Sequence, residues 1–243
     1  MPHQGLLSAS GVVLARSQMG EGGLWLTLFL KGQGLMRASA PGAERGRVRL
    51  GGGTEPFVWG AFSLHRGRNG GLYVNGVDIA DDMLPLRRRP EALRLAVRWS
   101  KRLMRWLMPD HPDDALLANL YWNMRLLSAP SVPCGAVGWR ILWRWLTLWG
   151  IAPELRRCSL CGRPPERAAW NGEGLVCPTC APGAMADRPV FSAPDLALLL
   201  RVAGLDVDGV KALFSEDPAP RSGLFELACR CVEGLVGQDI RAV

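Results

Sequence analysis

The chain is nearly without lysine, histidine and tyrosine. Lys31, Lys101 and Lys211 are its only lysines, so arginine supplies 26 of the 29 basic residues. The three histidines, His3, His65 and His111, stand far apart in sequence and have no recognisable partner for proton transfer. His65 beside Arg66 at a strand end reads as a surface residue. The patterns G-x-x-x-x-G-K-[ST], G-x-S-x-G and H-E-x-x-H do not occur in the 243 residues, which removes the phosphate loop, the hydrolase elbow and the zinc protease helix. Carboxylate pairs do occur, at Asp81/Asp82 and Asp113/Asp114, but both precede helical periodicity, where negative charge suits a helix start. No uncharged apolar run reaches the roughly 20 residues of a membrane span. The nearest, "AVGWRILWRWLTLWGIAP", carries Arg140 and Arg144 and reads as a buried helix, its Trp139, Trp143, Trp145 and Trp149 as core. Nothing here asks for an enzyme.

What is present is positive charge and cysteine. The formal net charge is +7 and the isoelectric point about 9.4, a balance that suits a polyanionic partner or simply keeps the chain soluble. Seven cysteines, an odd number, behind the start "MPHQGLLSAS", which is unlike a signal peptide, point to a reducing, cytosolic home. Four of the seven form two C-x-x-C pairs, Cys158/Cys161 and Cys177/Cys180, with fifteen residues between them. Each C-x-x-C turn offers two thiolates from one tight loop, and two turns complete a tetrahedral zinc set. Gly162 follows the second cysteine, where such a turn needs a positive φ. Four thiolates leave no open position for water or substrate, so the metal is structural. Iron fits the same four donors, and spacing does not choose between the two ions. Cys134, Cys229 and Cys231 read as packing residues.

Residues 8–80 read as five short apolar strands divided by glycine-rich turns, the length of a small closed barrel such as an OB-fold. The second, "GLWLTLFLKG", is apolar on both alternating faces: one fills the barrel and the other is to be covered by a neighbour. The loop "APGAERGRVRLGGGTE" sets Arg45, Arg47 and Arg49 among glycines, and Lys31, Arg37, Arg66 and Arg68 lie on nearby strands or turns. A flexible arginine-rich loop on a small barrel is what a phosphate backbone can use; an ordinary surface loop is the plain alternative. From Pro90 the period changes to 3.6. Arg94, Arg98, Lys101, Arg102 and Arg105 then share one helix face, against Leu93, Ala96, Val97, Met104 and Leu107. This ridge reads as a solvated face, a polyanion or acidic-partner site, or a membrane-surface helix. Further helices are expected at about 113–128, at about 136–150 ending at Gly150, from Ser192 or Ala193, and in short pieces over 206–237. The expected class is α+β: a five-stranded OB-fold barrel over 1–80, a helical bundle over 81–153 and 187–243, and a four-cysteine zinc ribbon inserted at 154–186.

This order of parts resembles the RecO family of DNA repair proteins over essentially the whole chain. The most telling stretch is "GWRILWRWLTLWGIAPELRRCSLCGRPPERAAWNGEGLVCPTC", an aromatic helix, a proline link, C-x-x-C-G, then "GLVC" and a second C-x-x-C. "FLKGQGLMRASAPGAERG" is similar to that family's passage from a strand into its basic loop, with Glu44 a departure. The resemblance implies binding of single- and double-stranded DNA, strand annealing, and help in loading the recombinase RecA. It implies RecR and the acidic tail of the single-stranded-DNA-binding protein as partners, a cytoplasmic, nucleoid-associated location, and no membrane. The competing reading is a zinc-stabilised adaptor whose basic helix binds acidic proteins.

Overall fold

The computed structural model describes residues 5–43, 50–68, 70–216 and 223–239. The chain forms two compact units, 1–128 and 129–243.

In the first unit, strands β1 (Leu6–Met19), β2 (Gly23–Leu30), β3 (Gly34–Ala40), β4 (Trp59–Arg66) and β5 (Leu72–Asp81) close into a barrel in the order β1-β2-β3-β5-β4. One long strand serves two neighbours: residues 6–12 of β1 pair with β4 and residues 11–19 with β2, and the register slips between Val13 and Ala15. Such an irregularity bends a strand, which is how a sheet turns a barrel corner. Alternation does the rest. Leu24, Leu26, Leu28 and Leu30 of β2 point inward with Met36, Ala38 and Ala40 of β3 and Phe62, Leu64, Leu72 and Val74. Each such leucine, fully buried, contributes roughly 1.5–3 kcal/mol.

The outward side of β2 explains its second apolar face. Phe29 is fully buried although it points away from the barrel interior. It is covered within its own unit, because helices follow β5 and close back on the strands: α1 (Leu84–Arg87), α2 (Pro90–Trp106) and α3 (Asp114–Leu127). Leu35 on β3 bridges to Pro109 in the α2–α3 link, and Gly34 lies so near that a Cβ there would run into the backbone of His111. The sequence division at residue 80 follows the end of the strand-like segments. Compactness instead divides the chain after Ser128, because α2 contacts β1 and α3 contacts β2.

Asp113 caps α3 by accepting from the Leu116 amide at 2.9 Å, as its place before an apolar run implies. On α2 the buried stripe is Ala92, Ala96, Trp99, Ser100 and Leu103. Val97 is exposed, so the expected apolar seam is rotated toward Trp99, the largest apolar group on the helix.

The second unit holds α4 (Cys134–Leu148), strands β6 (Arg167–Trp170), β7 (Leu175–Val176) and β8 (Val190–Ser192) in a small sheet of order β7-β6-β8, and helices α5 (Ala184–Asp187), α6 (Ala193–Gly204), α7 (Val207–Glu216) and α8 (Leu224–Asp239). Helix α4 packs on α6 and α8. Trp139 and Trp145 are core, with the Trp139 indole donating to Leu199 O at 2.8 Å, whereas Trp149 is exposed. Arg140, only 1% exposed, and Arg144 are accounted for by the end of α6: they donate to the carbonyls of Ala203, Gly204 and Leu205 that the helix leaves unsatisfied. Ser192 starts α6 with a reciprocal capping box to Asp195. Ser192→Ala is expected to cost about 1 kcal/mol of unit stability, read by urea unfolding.

Candidate metal centre and nucleic-acid interface

The candidate metal centre is built by two turns brought together by the small sheet. At the first, Gly162 N–H returns to Cys158 O at 2.9 Å with Gly162 at φ +71°, the left-handed conformation its position requires. At the second, the amides of Cys180 and Ala181 both return to Cys177 O. The pairing of β6 with β7, Ala169↔Val176 and Trp170↔Leu175, runs the chain directly into Cys177. The four Sγ atoms of Cys158, Cys161, Cys177 and Cys180 all lie within 4.8 Å of one another, with Cys161 and Cys177 at 3.9 Å. Zn–S bonds of about 2.3 Å in a tetrahedron put sulfurs about 3.8 Å apart, so the set fits a single tetrahedral ion.

The surroundings favour thiolates at Cys158 and Cys161. Burial raises the Cys158 thiol, but hydrogen bonds from the amides of Cys177, Cys161 and Leu160 outweigh it and bring it down to about 6. The Arg163 amide and then its guanidinium lower Cys161. Cys180, hydrogen-bonded first to Cys161 and then to Cys177, is pushed up to about 12. Four thiolates around a divalent cation carry two excess negative charges; Arg163 lies against Cys161, and Arg157 donates to Gly162 O at 3.2 Å. Cys231 is a different case: burial pushes its thiol up to about 11, as for an inert packing residue.

Positive charge is concentrated in one unit. Residues 1–128 contain seventeen basic and ten acidic residues, whereas 129–243 contain twelve of each. The whole +7 therefore belongs to the barrel and the helices that close it. Arg45, Arg47 and Arg49 lie outside the described residues. Arg37 is exposed on β3 with its guanidinium 4.5 Å from the Trp25 ring centre. Arg66 ends β4, donating to Gly70 O at 3.4 Å, and Arg68 is exposed in the turn beyond. Both line an open cleft of about 630 Å³ with Leu6, His65 and Asn75. Lys31 does not join them. It sits about 20 Å along β2 from Trp25, at the rim of a separate, mostly apolar cleft walled by Trp59, Tyr121 and Trp122.

On α2, Arg94, Arg98, Lys101 and Arg105 stand exposed over about 16 Å of helix. Arg98, Lys101 and Arg105 make no hydrogen bond or ion pair among the described residues. Arg102 departs from this ridge: half-buried, it stacks on Trp99 and Trp106 at 4.9 and 5.9 Å. Its position at the edge of the charged arc puts it within reach of those rings.

Sequence reasoning, drawn to the arginines, passed over the aromatic residues of the barrel's outer face. Trp25 pairs with Ser39, Ser39 with Tyr73, and Tyr73 with His65, in one register line across β2, β3, β5 and β4. The inward residues on these strands are their neighbours Leu24, Ala38, Leu72 and Leu64, so all four of the line point outward. The separate strand sequences contain no signal for it, because the line exists only once the barrel has closed.

A closed five-stranded barrel of OB type, joined to a helical unit that carries a four-cysteine ribbon, defines the architectural class. The profile described as Recombination protein O N terminal matches residues 4–81. A DNA repair protein RecO from Anaeromyxobacter sp. (strain K) is 33% identical over 223 residues, covering 88% of this chain and 84% of the relative. One from Gloeobacter violaceus is 31% identical over 183 residues, 71% of this chain and 67% of the relative. One from Desulfatibacillum aliphaticivorans is 27% identical over 203 residues, covering 80% and 78%. The chain belongs to the RecO family of DNA repair proteins.

Among the described residues no helix is long and apolar enough to cross a membrane.

Proposed function

We propose that this chain is a non-enzymatic recombination mediator that binds single- and double-stranded DNA, anneals strands and helps load the recombinase RecA. The observation that carries the reading is the confinement of all net positive charge to the unit with the OB-type barrel. Exposed arginines release counterions when they meet phosphates, and that release supplies affinity that falls as salt rises. Two strands held on one cationic surface repel each other less, which is a physical route to annealing. RecR and the acidic tail of the single-stranded-DNA-binding protein are the partners expected from family membership, and the α2 ridge is the surface offered to an acidic tail. The four cysteines would hold zinc, which stabilises the ribbon and leaves DNA contact to the barrel. The place of action is the cytoplasm, at the nucleoid.

The test is binding of a labelled single-stranded oligonucleotide across a salt series. Log affinity should fall against log salt with a slope of at least about −3, as for several neutralised phosphates. Charge reversal at Arg37, Arg66 and Arg68 together should flatten that slope by about two to three. A parent protein whose binding is absent or insensitive to salt sinks the proposal and leaves the protein-adaptor reading, with α2 the surface to mutate.

A further inference from the structure

The outward line on the barrel has the composition of a stacking surface. Trp25 and Tyr73 are half-buried, Ser39 between them is small and 4% exposed, and the His65 and Tyr73 rings stack at 5.1 Å. Adjacent strands lie about 4.8 Å apart, so the line spans about 14 Å across the barrel. Cations stand at both ends: Arg37 lies over the Trp25 ring, and Arg66 and Arg68 line the cleft that His65 also faces. His65 lines that cleft, and its Nδ1 is buried with no hydrogen-bond partner among the described residues.

We infer that Trp25, Tyr73 and His65 form a base-stacking platform for a single-stranded nucleic acid, with Arg37 at one end and Arg66 and Arg68 at the other holding its phosphates. This rests on the DNA-binding reading and deepens it, because it assigns a preference for unpaired strands to named residues. Phosphate contacts alone hardly distinguish one strand from two. An aromatic platform does, since a base inside a duplex has both faces covered by its neighbours and cannot reach a ring. Stacking is also tolerant of sequence, because every base has a π-face. Arg37 extends the platform: a guanidinium lying on an indole presents its own flat face outward, to a base or to a phosphate. The half-buried rings are held by their strands, so a base meets surfaces already oriented and little side-chain freedom is lost on binding.

Two probes on the full-length protein test this, one needing no mutation. Binding of an oligonucleotide of about 30 thymidines is compared with an abasic strand of the same length and charge, and with a duplex of the same length. The abasic strand is expected to bind at least about tenfold more weakly than the thymidine strand, with the same salt slope. Trp25→Leu with Tyr73→Leu should lower affinity for the thymidine strand about a hundredfold and for the duplex less than about twofold, and Trp25→Phe with Tyr73→Phe should restore most of it. Equal binding of abasic and thymidine strands by the parent overturns the platform even if the leucine variant fails to fold, and it leaves the phosphate-binding reading standing. Equal losses on single strand and duplex in a folded leucine variant overturn it as well. A parent that binds none of the three probes overturns both readings together.

Discussion

Cys158→Ser will release the metal and abolish the cooperative unfolding transition of the 129–243 unit, while the slope of single-strand affinity against salt stays at the parental value. The size of the effect follows from what the four sulfurs join. Binding of structural zinc is worth roughly 10–16 kcal/mol in small fingers at neutral pH, as much as the whole stability of a typical domain, about 5–15 kcal/mol. Cys158 is also the most embedded of the four: it is 2% exposed, and its sulfur receives the Cys177 amide at 3.4 Å. Serine still offers that amide a neutral oxygen acceptor but is a poor ligand for a soft-donor site, so the loss falls on the tetrahedron itself. Calorimetry of the variant, with metal content assayed on the same sample, checks it. A Cys158→Ser protein that keeps the parental melting profile and has lost only DNA binding would move the nucleic-acid contact to the ribbon.

Arg144→Ala will cost about 3 kcal/mol and Arg140→Ala somewhat more, measured by urea unfolding of the same unit. Arg144 donates three hydrogen bonds, to Ala203 O at 2.8 Å, Gly204 O at 3.3 Å and Leu205 O at 2.8 Å, and Arg140 donates to Leu205 O at 2.9 Å. These carbonyls end α6 and carry the negative pole of that helix. Hydrogen bonds to a charged donor contribute about 1.5–3 kcal/mol each, and a buried acceptor left bare costs about 1–3 kcal/mol. The terms overlap because the bonds share acceptors, so the sum is not taken. Arg140 adds a packing cost, since its side chain is almost fully buried and truncation leaves a cavity in the core. The burial that holds the Arg140 guanidinium down to about 10 also makes lysine a poor replacement, since an ammonium buried at that place gives up its proton far more readily. A loss below about 1 kcal/mol for either variant would show that water satisfies the α6 end equally well.

Much of this was legible in the sequence where the determinant was local. The cysteine spacing reports the ribbon because a C-x-x-C turn and its Gly162 are complete within five residues. The strands were legible because glycines punctuate them and leucines alternate in β2. Ser192 and Asp113 announced helix starts because a cap is a local hydrogen bond. What stayed hidden was set by packing between distant segments. Trp99 lies among arginines and lysine, so its burial depends on the surface α2 meets and not on its neighbours in sequence. The attachment of α2 and α3 to the barrel depends on Phe29 needing cover and on Leu35 reaching Pro109. Arg140 and Arg144 read as interruptions of an apolar helix until the end of α6, about sixty residues on, is placed beside them. The platform needs four strands in register before it exists at all.

Strand β3 meets β5 through a short parallel contact at Ser39↔Tyr73, with Ser39 Oγ donating to Leu72 O at 3.4 Å, while the other four joins of the barrel are long antiparallel ladders. The barrel is thus a hoop fastened by one small clasp, and the outer line of aromatic rings runs straight over it. A ligand resting on Trp25 and Tyr73 together would bridge the clasp, so its binding energy would be added to the energy that keeps the hoop shut. Grip on the strand and stiffness of the barrel would rise as one quantity.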